Sequence, residues 1–369
     1  MKPVKTGIIG CGMISEIYLK NCCDTFRITN VVACADLDMQ KAKEKAEKFG
    51  IEACTVDEIL SNKEIEAIIN LTVPVAHAEI SKKILIAGKH AYSEKPLAIE
   101  LSDGEELKGV SEKTGLCLGA APDTFLGGGI QSAKKLIDDG LIGDPITVNA
   151  FLMTRGPENF HPNPDFFYQY GGGPLLDFGP YYITTMVSLL GAITKVSAFA
   201  KMTYPERVIM GNNPRKGEKI KVEIPTHYSA IFEFERGITG TMTVSFDLPY
   251  PYWESKLPYI QIEGSKGSII IPDPNKFEGP VLLRKLNGEY EEMPLTHSFI
   301  ENMRGMGFAY MLNKRSNQKD YKGNGDLALH VLDVMTGIDR SAQTGNVYSV
   351  KHKFQMPESL PQDMPEYFY

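Results

Sequence analysis

Along residues 4–120, short apolar runs alternate with stretches that mix apolar and charged residues at helical spacing. The runs read as strands of a buried sheet and the mixed stretches as the helices that cover it. Val4–Ile9, Ile28–Ala35, Ile65–Thr72, His90–Ser93 and Leu116–Ala121 are the expected strands. Met13–Cys22, Lys41–Phe49, His77–Ala87 and Ser102–Thr114 are the expected helices, with Gly50 and Gly88 as stops. Such strict alternation predicts an α/β unit with a parallel sheet covered on both faces.

Past residue 125 the pattern changes. A helix over Ile130–Asp139, stopped by Gly140, precedes a strand near Ile146–Met153 and a long loop rich in Pro, Asn and aromatics. Residues 228–271 then alternate with a period of two: Tyr228, Ala230, Phe232 and Phe234 share one face, Arg236-Gly237 turns the chain, and Thr239–Phe246 returns. Tyr259–Glu263 and Ser268–Ile271 flank a second turn at Ser265-Lys266-Gly267. These are antiparallel signals, so the second half is expected to be α+β with a mostly antiparallel sheet, closed by helices over Ser298–Asn313 and Leu327–Ala342. The domains are placed at 1–124 and 125–369. The tail Pro357–Tyr369, with three prolines and three aromatics, fits a packing arm or a loose end equally.

Composition narrows the function. A net charge of −7 over 369 residues argues against a general nucleic-acid binder. No apolar run approaches the roughly 20 residues of a membrane span, and the first residues pass straight into Gly7-Ile8-Ile9-Gly10, leaving no room for a signal-peptide core. A cytoplasmic location is expected. The six cysteines form no Cys-x-x-Cys pair and have no histidine at zinc-ligand spacing, so they read as small buried hydrophobes and no metal site is expected.

Gly7-Ile8-Ile9-Gly10-Cys11-Gly12-Met13-Ile14-Ser15 follows the first strand and opens the first helix. Gly10 permits a tight turn, Gly12 lets the backbone approach a pyrophosphate, and the helix N-terminus favours that charge. Ser15 stands where this fingerprint prefers Gly or Ala. Asp36 ends the second strand 26 residues after Gly10, where an acid bonds an adenosine ribose. A carboxylate there repels a 2′-phosphate and no arginine follows it closely, so NAD is expected over NADP. Thr72, Pro74 and Glu94-Lys95-Pro96 would share the same sheet edge, with His77 at the next helix start. The cofactor contacts expected are therefore Gly10, Gly12, Met13, Ile14, Asp36, Thr72, Pro74, His77, Glu94 and Lys95.

Lys95 precedes a proline, which pushes its backbone toward an extended conformation and restricts the direction of its side chain. Lysine also lowers its pKa readily when partly buried. Downstream, Gly171-Gly172-Gly173-Pro174 leads into Leu175-Leu176-Asp177-Phe178-Gly179-Pro180-Tyr181. Asp177 and Tyr181 are four apart and would share a helix face, although Pro180 is expected to break or kink that helix. A carboxylate and a phenol near a lysine make a proton-handling set in which the ammonium lowers the tyrosine pKa.

With these stretches in this order, and with Ile262–Gly267 and Ser341–Gly345 after them, the chain resembles the glucose–fructose oxidoreductase/inositol dehydrogenase (Gfo/Idh/MocA) family nearly end to end. The resemblance implies an N-terminal Rossmann domain and a C-terminal domain whose open sheet often mediates dimers or tetramers. It implies that Lys95 bonds a substrate hydroxyl near the nicotinamide and that Asp177 orients the substrate. Many members place a histidine base where this chain has Tyr181; the glucose–fructose oxidoreductase and dihydrodiol dehydrogenase branches look similar in using tyrosine. The stretch Ala121–Gly127, with Asp123, matches the region that links the domains and often lines the site. Arg155, Asn159, His161 and Asp165 crowd the loop before the glycine run, and Trp253 lies among Tyr250, Tyr252 and Tyr259. These polar groups and their aromatic platform suit a sugar or cyclitol, or else a loop packed by its own aromatics. Asp123, Arg155 and His161 are the candidate substrate contacts.

The expectation is thus an oxidoreductase moving hydride between nicotinamide and a carbinol carbon of a sugar, inositol or related polyol, as a homodimer or homotetramer. Alternatives are an enzyme that keeps NAD tightly bound for transient oxidation, and a non-catalytic NAD-binding regulator.

Overall fold

A computed structural model describes residues 2–250, 257–315, 324–362 and 364. Two sheets organise it. The first holds β1 (Val4–Ile9), β2 (Thr29–Ala35), β3 (Glu52–Cys54), β4 (Ala67–Asn70), β5 (His90–Ser93) and β6 (Leu118–Ala120), all parallel, in the order β3-β2-β1-β4-β5-β6. Helices α1 (Ser15–Lys20), α2 (Met39–Phe49), α3 (Val56–Ser61), α4 (His77–Ile86) and α5 (Leu101–Thr114) make the connections. Ile8, Cys34, Ile68 and Ile69 are fully buried, which is why these strands read as unbroken apolar runs.

Local chemistry sets the helix ends. Asp38 caps α2 by accepting from the Gln40 amide, and Gly50 ends it in the left-handed region at φ 66°. β3 and α3 were not expected. Three and six residues are too few to show a period, although Thr55 and Glu58 form a capping box ahead of α3. The first helix is shorter than expected, because its last turn widens into a π-type turn over Asn21–Thr25.

Among the described residues the second sheet has nine strands. In chain order the second half carries β7 (Pro145–Met153), β8 (Ile193–Lys201), a separate two-stranded ladder of β9 (Glu206–Val208) and β10 (Lys219–Lys221), β11 (His227–Phe234), β12 (Thr239–Ser245), β13 (Ile260–Gly264), β14 (Gly267–Ile271), β15 (Val281–Lys285), β16 (Glu291–Met293) and β17 (Tyr348–Ser349). The large sheet runs β16-β15-β14-β13-β7-β12-β11-β8-β17, antiparallel throughout except for β12 beside β7. Tyr228, Ala230, Phe232 and Phe234 of β11 are buried, as the period-two pattern predicts. The other face carries Phe199, Ser229, Thr243 and Phe151 in one cross-strand row. Phe199 and Ile231 are 79% and 60% exposed there.

Helices α6 (Gly128–Asp138), α7 (Gly173–Leu190) and α9 (Gly325–Thr344) pack against the second sheet, while α8 (Met306–Lys314) lies against β6. α9 also packs on α5 and β6, so the C-terminal helix ties both sheets together. Its Leu332 would come within 2.7 Å of any side chain added at Gly104 of α5.

Two expectations are corrected. α7 runs unbroken through Pro180. A proline inside a helix costs about 3 kcal/mol, but Ile183, Met186, Val187 and Leu190 beyond it are fully buried. Each such side chain contributes roughly 1.5–3 kcal/mol, so burial outweighs the lost hydrogen bond. The late helix expected over Ser298–Asn313 begins only at Met306, because Gly305 takes φ 97° and Phe299 takes φ 67°. The stretch between them is irregular and is held by side chains from elsewhere.

The tail packs as an arm as far as it is described. Leu360 is buried, its carbonyl meets His297 Nε2, and its amide donates to Gln131 of α6. All six cysteines are free thiols, and all but Cys23 are buried.

Candidate active site

The order of the first sheet reverses between β1 and β4, and the segments leaving both strands meet there. In open α/β sheets this crevice is where ligands bind. Gly10 sits at φ 103°, and a Cβ on it would lie 2.4 Å from the Leu71 carbonyl oxygen, so the two segments touch through a position only glycine fills. A Cβ on Gly12 would meet nothing within 4 Å, so the loop is open on that side. Ser15 is buried beneath the loop, and its hydroxyl donates to the Gly12 carbonyl at 2.7 Å. A small side chain that pins the turn explains how serine serves where Gly or Ala is usual.

Asp36 accepts from the Cys11 amide (2.7 Å) through one oxygen and from the Asp38 amide (2.8 Å) through the other. Each oxygen keeps a lone pair for another donor. Exposed apolar side chains surround this edge: Met13 at 70%, Leu37 at 99%, Val73 at 59% and Val75 at 62%. An open glycine loop, a helix N-terminus, a carboxylate and an apolar rim fit a dinucleotide. Gly10, Gly12, Met13, Ile14 and Asp36 are the residues at this edge that could hold one.

The neighbouring connections form a braced unit. Asn70 Oδ1 accepts from the amide and hydroxyl of Thr72, and its Nδ2 donates to the His77 carbonyl and to Ser81. His77 does not face the edge, contrary to expectation. Its ring is buried, with Nδ1 2.7 Å from the Pro96 carbonyl and Nε2 2.9 Å from that of Thr72. Burial lowers its pKa despite both contacts. The ring thus joins the Thr72–Pro74 turn to Glu94-Lys95-Pro96. Glu94 is also turned inward, accepting from Tyr18 Oη at 2.7 Å and from the Lys95 amide at 2.8 Å, so its carboxylate braces the loop from beneath.

Lys95 reaches α7. Its Nζ donates to Asp177 Oδ1 (2.7 Å) and to the Asp177 carbonyl (2.8 Å), and stands 5.0 Å from the centroid of the Tyr181 ring. Pro180 lacks the amide that would bond Leu176 one turn back, and in this interrupted stretch the Asp177 carbonyl takes the lysine. The unbroken helix does place Asp177 and Tyr181 on one face. Burial opposes the charge on Lys95, but Asp177, Tyr181 and Glu94 outweigh it and leave its pKa above the usual lysine value. The expected lowering is therefore reversed: Lys95 is a fixed cation. Tyr181 shows the mirror case. Burial raises its pKa, Lys95 and Arg304 pull it down, and the net remains upward.

Of the candidate substrate contacts, His161 is half-buried, packs edge-on against the adjoining rings of Phe166 and Phe167, and feels the charge of Asp177. Arg155 is exposed and borders the cluster in which Arg207 pairs with Glu158 and Asp247. Asp165 is spent on a two-pronged pair with Arg215. Asp123 is buried, with Oδ2 accepting from the Gly305 (2.8 Å) and Gly307 (3.1 Å) amides. It clamps the start of α8 rather than facing a ligand. Tyr252 and Trp253 lie outside the described residues. Sequence reasoning missed Arg304, whose charge, carried by the irregular segment before α8, draws the Tyr181 pKa down against burial. Its signal was Gly305 and Gly307 just after it, inside what reads as a helix.

Residues 4–121 match the oxidoreductase family with an NAD-binding Rossmann fold, and residues 130–270 match the GFO/IDH/MocA C-terminal domain. The chain belongs to the Gfo/Idh/MocA family. It is an NAD(P)-dependent dehydrogenase. Among curated relatives, a dTDP-3,4-didehydro-2,6-dideoxy-alpha-D-glucose 3-reductase of Actinomadura kijaniata is 27% identical over 284 residues, covering 74% of this chain and 84% of its own. A scyllo-inositol 2-dehydrogenase (NAD(+)) of Bacillus subtilis is 28% identical over 274 residues, covering 73% of each. The crystal structure of an NAD binding oxidoreductase from Klebsiella pneumoniae superposes with a TM-score of 0.81 at 18% identity, over 96% of this chain and 100% of its own, a likeness of fold.

The two loop glycines separate stability from binding. Gly10→Ala should destabilise the protein by about 2 kcal/mol or more, through its φ and the Leu71 clash. Gly12→Ala should leave stability within about 0.5 kcal/mol and weaken NADH at least about tenfold. Urea unfolding and NADH fluorescence titration check both. Asp123 gives a pH signature. Burial raises its carboxyl from 3.8 to about 6, against the two amides and Arg304. Between these values the folded state holds the extra proton, so stability falls as pH rises through the window, by on the order of 3 kcal/mol. Asp123→Asn lacks this loss, so its stability relative to the parent should rise between about pH 4 and about pH 7, read from paired urea midpoints.

Proposed function

We propose that the protein interconverts a secondary alcohol and its ketone on a sugar, inositol or related polyol, with NAD as the preferred cofactor. The observation that carries this reading is the Lys95 ammonium held between Asp177 and the Tyr181 ring beside the dinucleotide crevice. The bound nicotinamide supplies or takes the hydride. Lys95 keeps its proton and stabilises oxygen charge that develops on the substrate. Tyr181 carries the hydroxyl proton, and Asp177 orients the substrate while fixing the lysine. The names of the relatives, a deoxysugar reductase and an inositol dehydrogenase, favour a polyhydroxylated ring. Asp36 favours NAD, since a 2′-phosphate would meet its carboxylate.

The outward face of the large sheet supports a homo-oligomer. Phe199 and Ile231 stand exposed on a sheet face that no helix of the described residues covers. A second copy of the chain, docked through this face, is the proposed partner.

A panel of sugars, inositols and their acids, followed by NADH absorbance, tests the activity. Lys95→Ala should lower kcat/KM on the best substrate by about 10²–10⁴-fold with NADH affinity unchanged. No turnover across the panel, or undiminished turnover in the variant, would overturn the reading. For assembly, Phe199→Glu with Ile231→Glu should reduce the light-scattering mass to that of one chain. A parent protein already of that mass would remove the proposed partner.

A further inference from the structure

Residues 95–100, which lead from β5 into α5, and residues 170–177, which lead into α7, come from different halves of the chain. Three contacts join them in order. Lys95 meets Asp177. Ile99 faces Gly171: a Cβ on that glycine would stand 2.4 Å from Ile99 Cδ1 and 3.3 Å from Val75 Cγ1. Tyr170 Oη donates to Glu100 Oε1. The two segments therefore form a seam in which they run in opposite directions. Its ends differ in exposure. The side chains of Lys95 and Asp177 are 15% and 23% exposed, whereas Tyr170 is 62% exposed. The inner tie is a partly buried ion pair, and the outer one is a hydrogen bond that competes with water.

The stretch that carries Tyr170 is anchored on both sides and loose between. Upstream, Tyr168 is fully buried in a small separate core with Ile209, Ile220, Val222 and Phe246, and its carbonyl accepts from the Glu223 amide at 2.9 Å. Downstream, Pro174 and Leu175 are buried in α7. Between these anchors lie Gln169, Tyr170 and three consecutive glycines, of which Gly171 and Gly173 take φ 85° and 87°. The Gly172 amide donates to the Gln169 carbonyl at 2.9 Å, a bond within the stretch itself. Glycine gives this backbone wide freedom. Among the described residues, Tyr170 is the side chain of the stretch that hydrogen-bonds to the first half. Its acceptor is turned toward it. Glu100 is the N-cap residue of α5, yet its carboxylate accepts no amide of that helix.

With Asp36 on the adenosine ribose beside β2, the nicotinamide half of a dinucleotide extends toward the segments that follow β4 and β5. Val75 belongs to the first of these segments and Ile99 to the second, and Gly171 rests against both. We propose that Gln169–Gly173 is a flap over the nicotinamide end of the crevice, and that the Tyr170–Glu100 hydrogen bond is its latch. With the latch made, the flap bridges the two segments and retains a bound nicotinamide. With it broken, the glycines let the flap swing out while the Lys95–Asp177 pair stays in place. Retention of the cofactor is then set by an exposed bond, and the geometry around Lys95 by a partly buried one. This gating acts on the cofactor and needs no particular substrate.

The test is the rate at which NADH leaves the protein, read by stopped-flow fluorescence after displacement with excess NAD. Tyr170→Phe keeps the ring and removes the donor, and should speed release by about three- to tenfold, the usual weight of one hydrogen bond. Glu100→Ala should match it, and the double variant should be no faster than either, because each loses the same bond. Glu100→Gln keeps an acceptor oxygen and should fall between the parent and Tyr170→Phe. ADP-ribose lacks the nicotinamide, so its release, timed by the NADH that replaces it, should be the same in all of these proteins. Thermal unfolding of each variant, measured alongside, ensures that folded proteins are compared. Parental NADH release in folded Tyr170→Phe would overturn the proposal. An equal acceleration of ADP-ribose would overturn it too, since the crevice as a whole would then have loosened.

Discussion

The site depends on one half-buried charge. Lys95 leaves the end of a strand in the first sheet, and the carboxylate that neutralises it lies 82 residues later on a helix of the second. A cation taken partly out of water is unfavourable unless it is paired and hydrogen-bonded. Both oxygens of Asp177 that it reaches, one on the side chain and one on the backbone, come from the same residue. The lysine therefore fixes not only a charge but the approach of α7 to the dinucleotide crevice. His77 and Asn70 complete this from the other side by holding the two loops of the first sheet to each other. The crevice and the face proposed to handle the proton become one object.

Much of this was legible in the sequence where the physics is local. A glycine needed for a turn, a helix opening behind it and an acid at the next strand end each act through neighbours in the chain. Their spacing survives into the structure. Asp177 and Tyr181 were legible for the same reason, since four residues of helix fix their common face. What the residues could not show is which way a polar side chain turns. Asp123, Glu94 and His77 all sit beside the crevice in sequence order, yet their polar atoms bond inward to Gly305, Tyr18, Pro96 and Thr72. Each of these partners satisfies a buried backbone or hydroxyl group, and that demand is met by long-range contacts that no spacing records.

Long-range balance also explains the errors of element. Pro180 argued for a break because its penalty is local, whereas the burial that overrides it is collected along the following two turns of α7. The segment before α8 argued for a helix because its apolar residues suit one. Two backbone positions in the left-handed region, at Phe299 and Gly305, end that possibility, and the anchors that hold the segment arrive from Asn21, in the π-type turn after α1, and from Asp123. Arg304 was missed along with the shape of its segment.

The same competition sets the chemistry. Burial acts in opposite directions on the two central groups, favouring neutral lysine and neutral tyrosine alike. With burial alone the face would carry no charge with which to steady a developing oxyanion. Asp177 reverses the outcome for Lys95, and the lysine stays charged. Tyr181 receives less help, because Glu94 opposes the two cations, and its pKa stays above the usual tyrosine value. The result is a division of charge that neither residue type dictates: a lysine held as a cation beside a phenol held neutral. Because the charges lie in a partly desolvated crevice, any further exclusion of water strengthens each pairing and widens that difference.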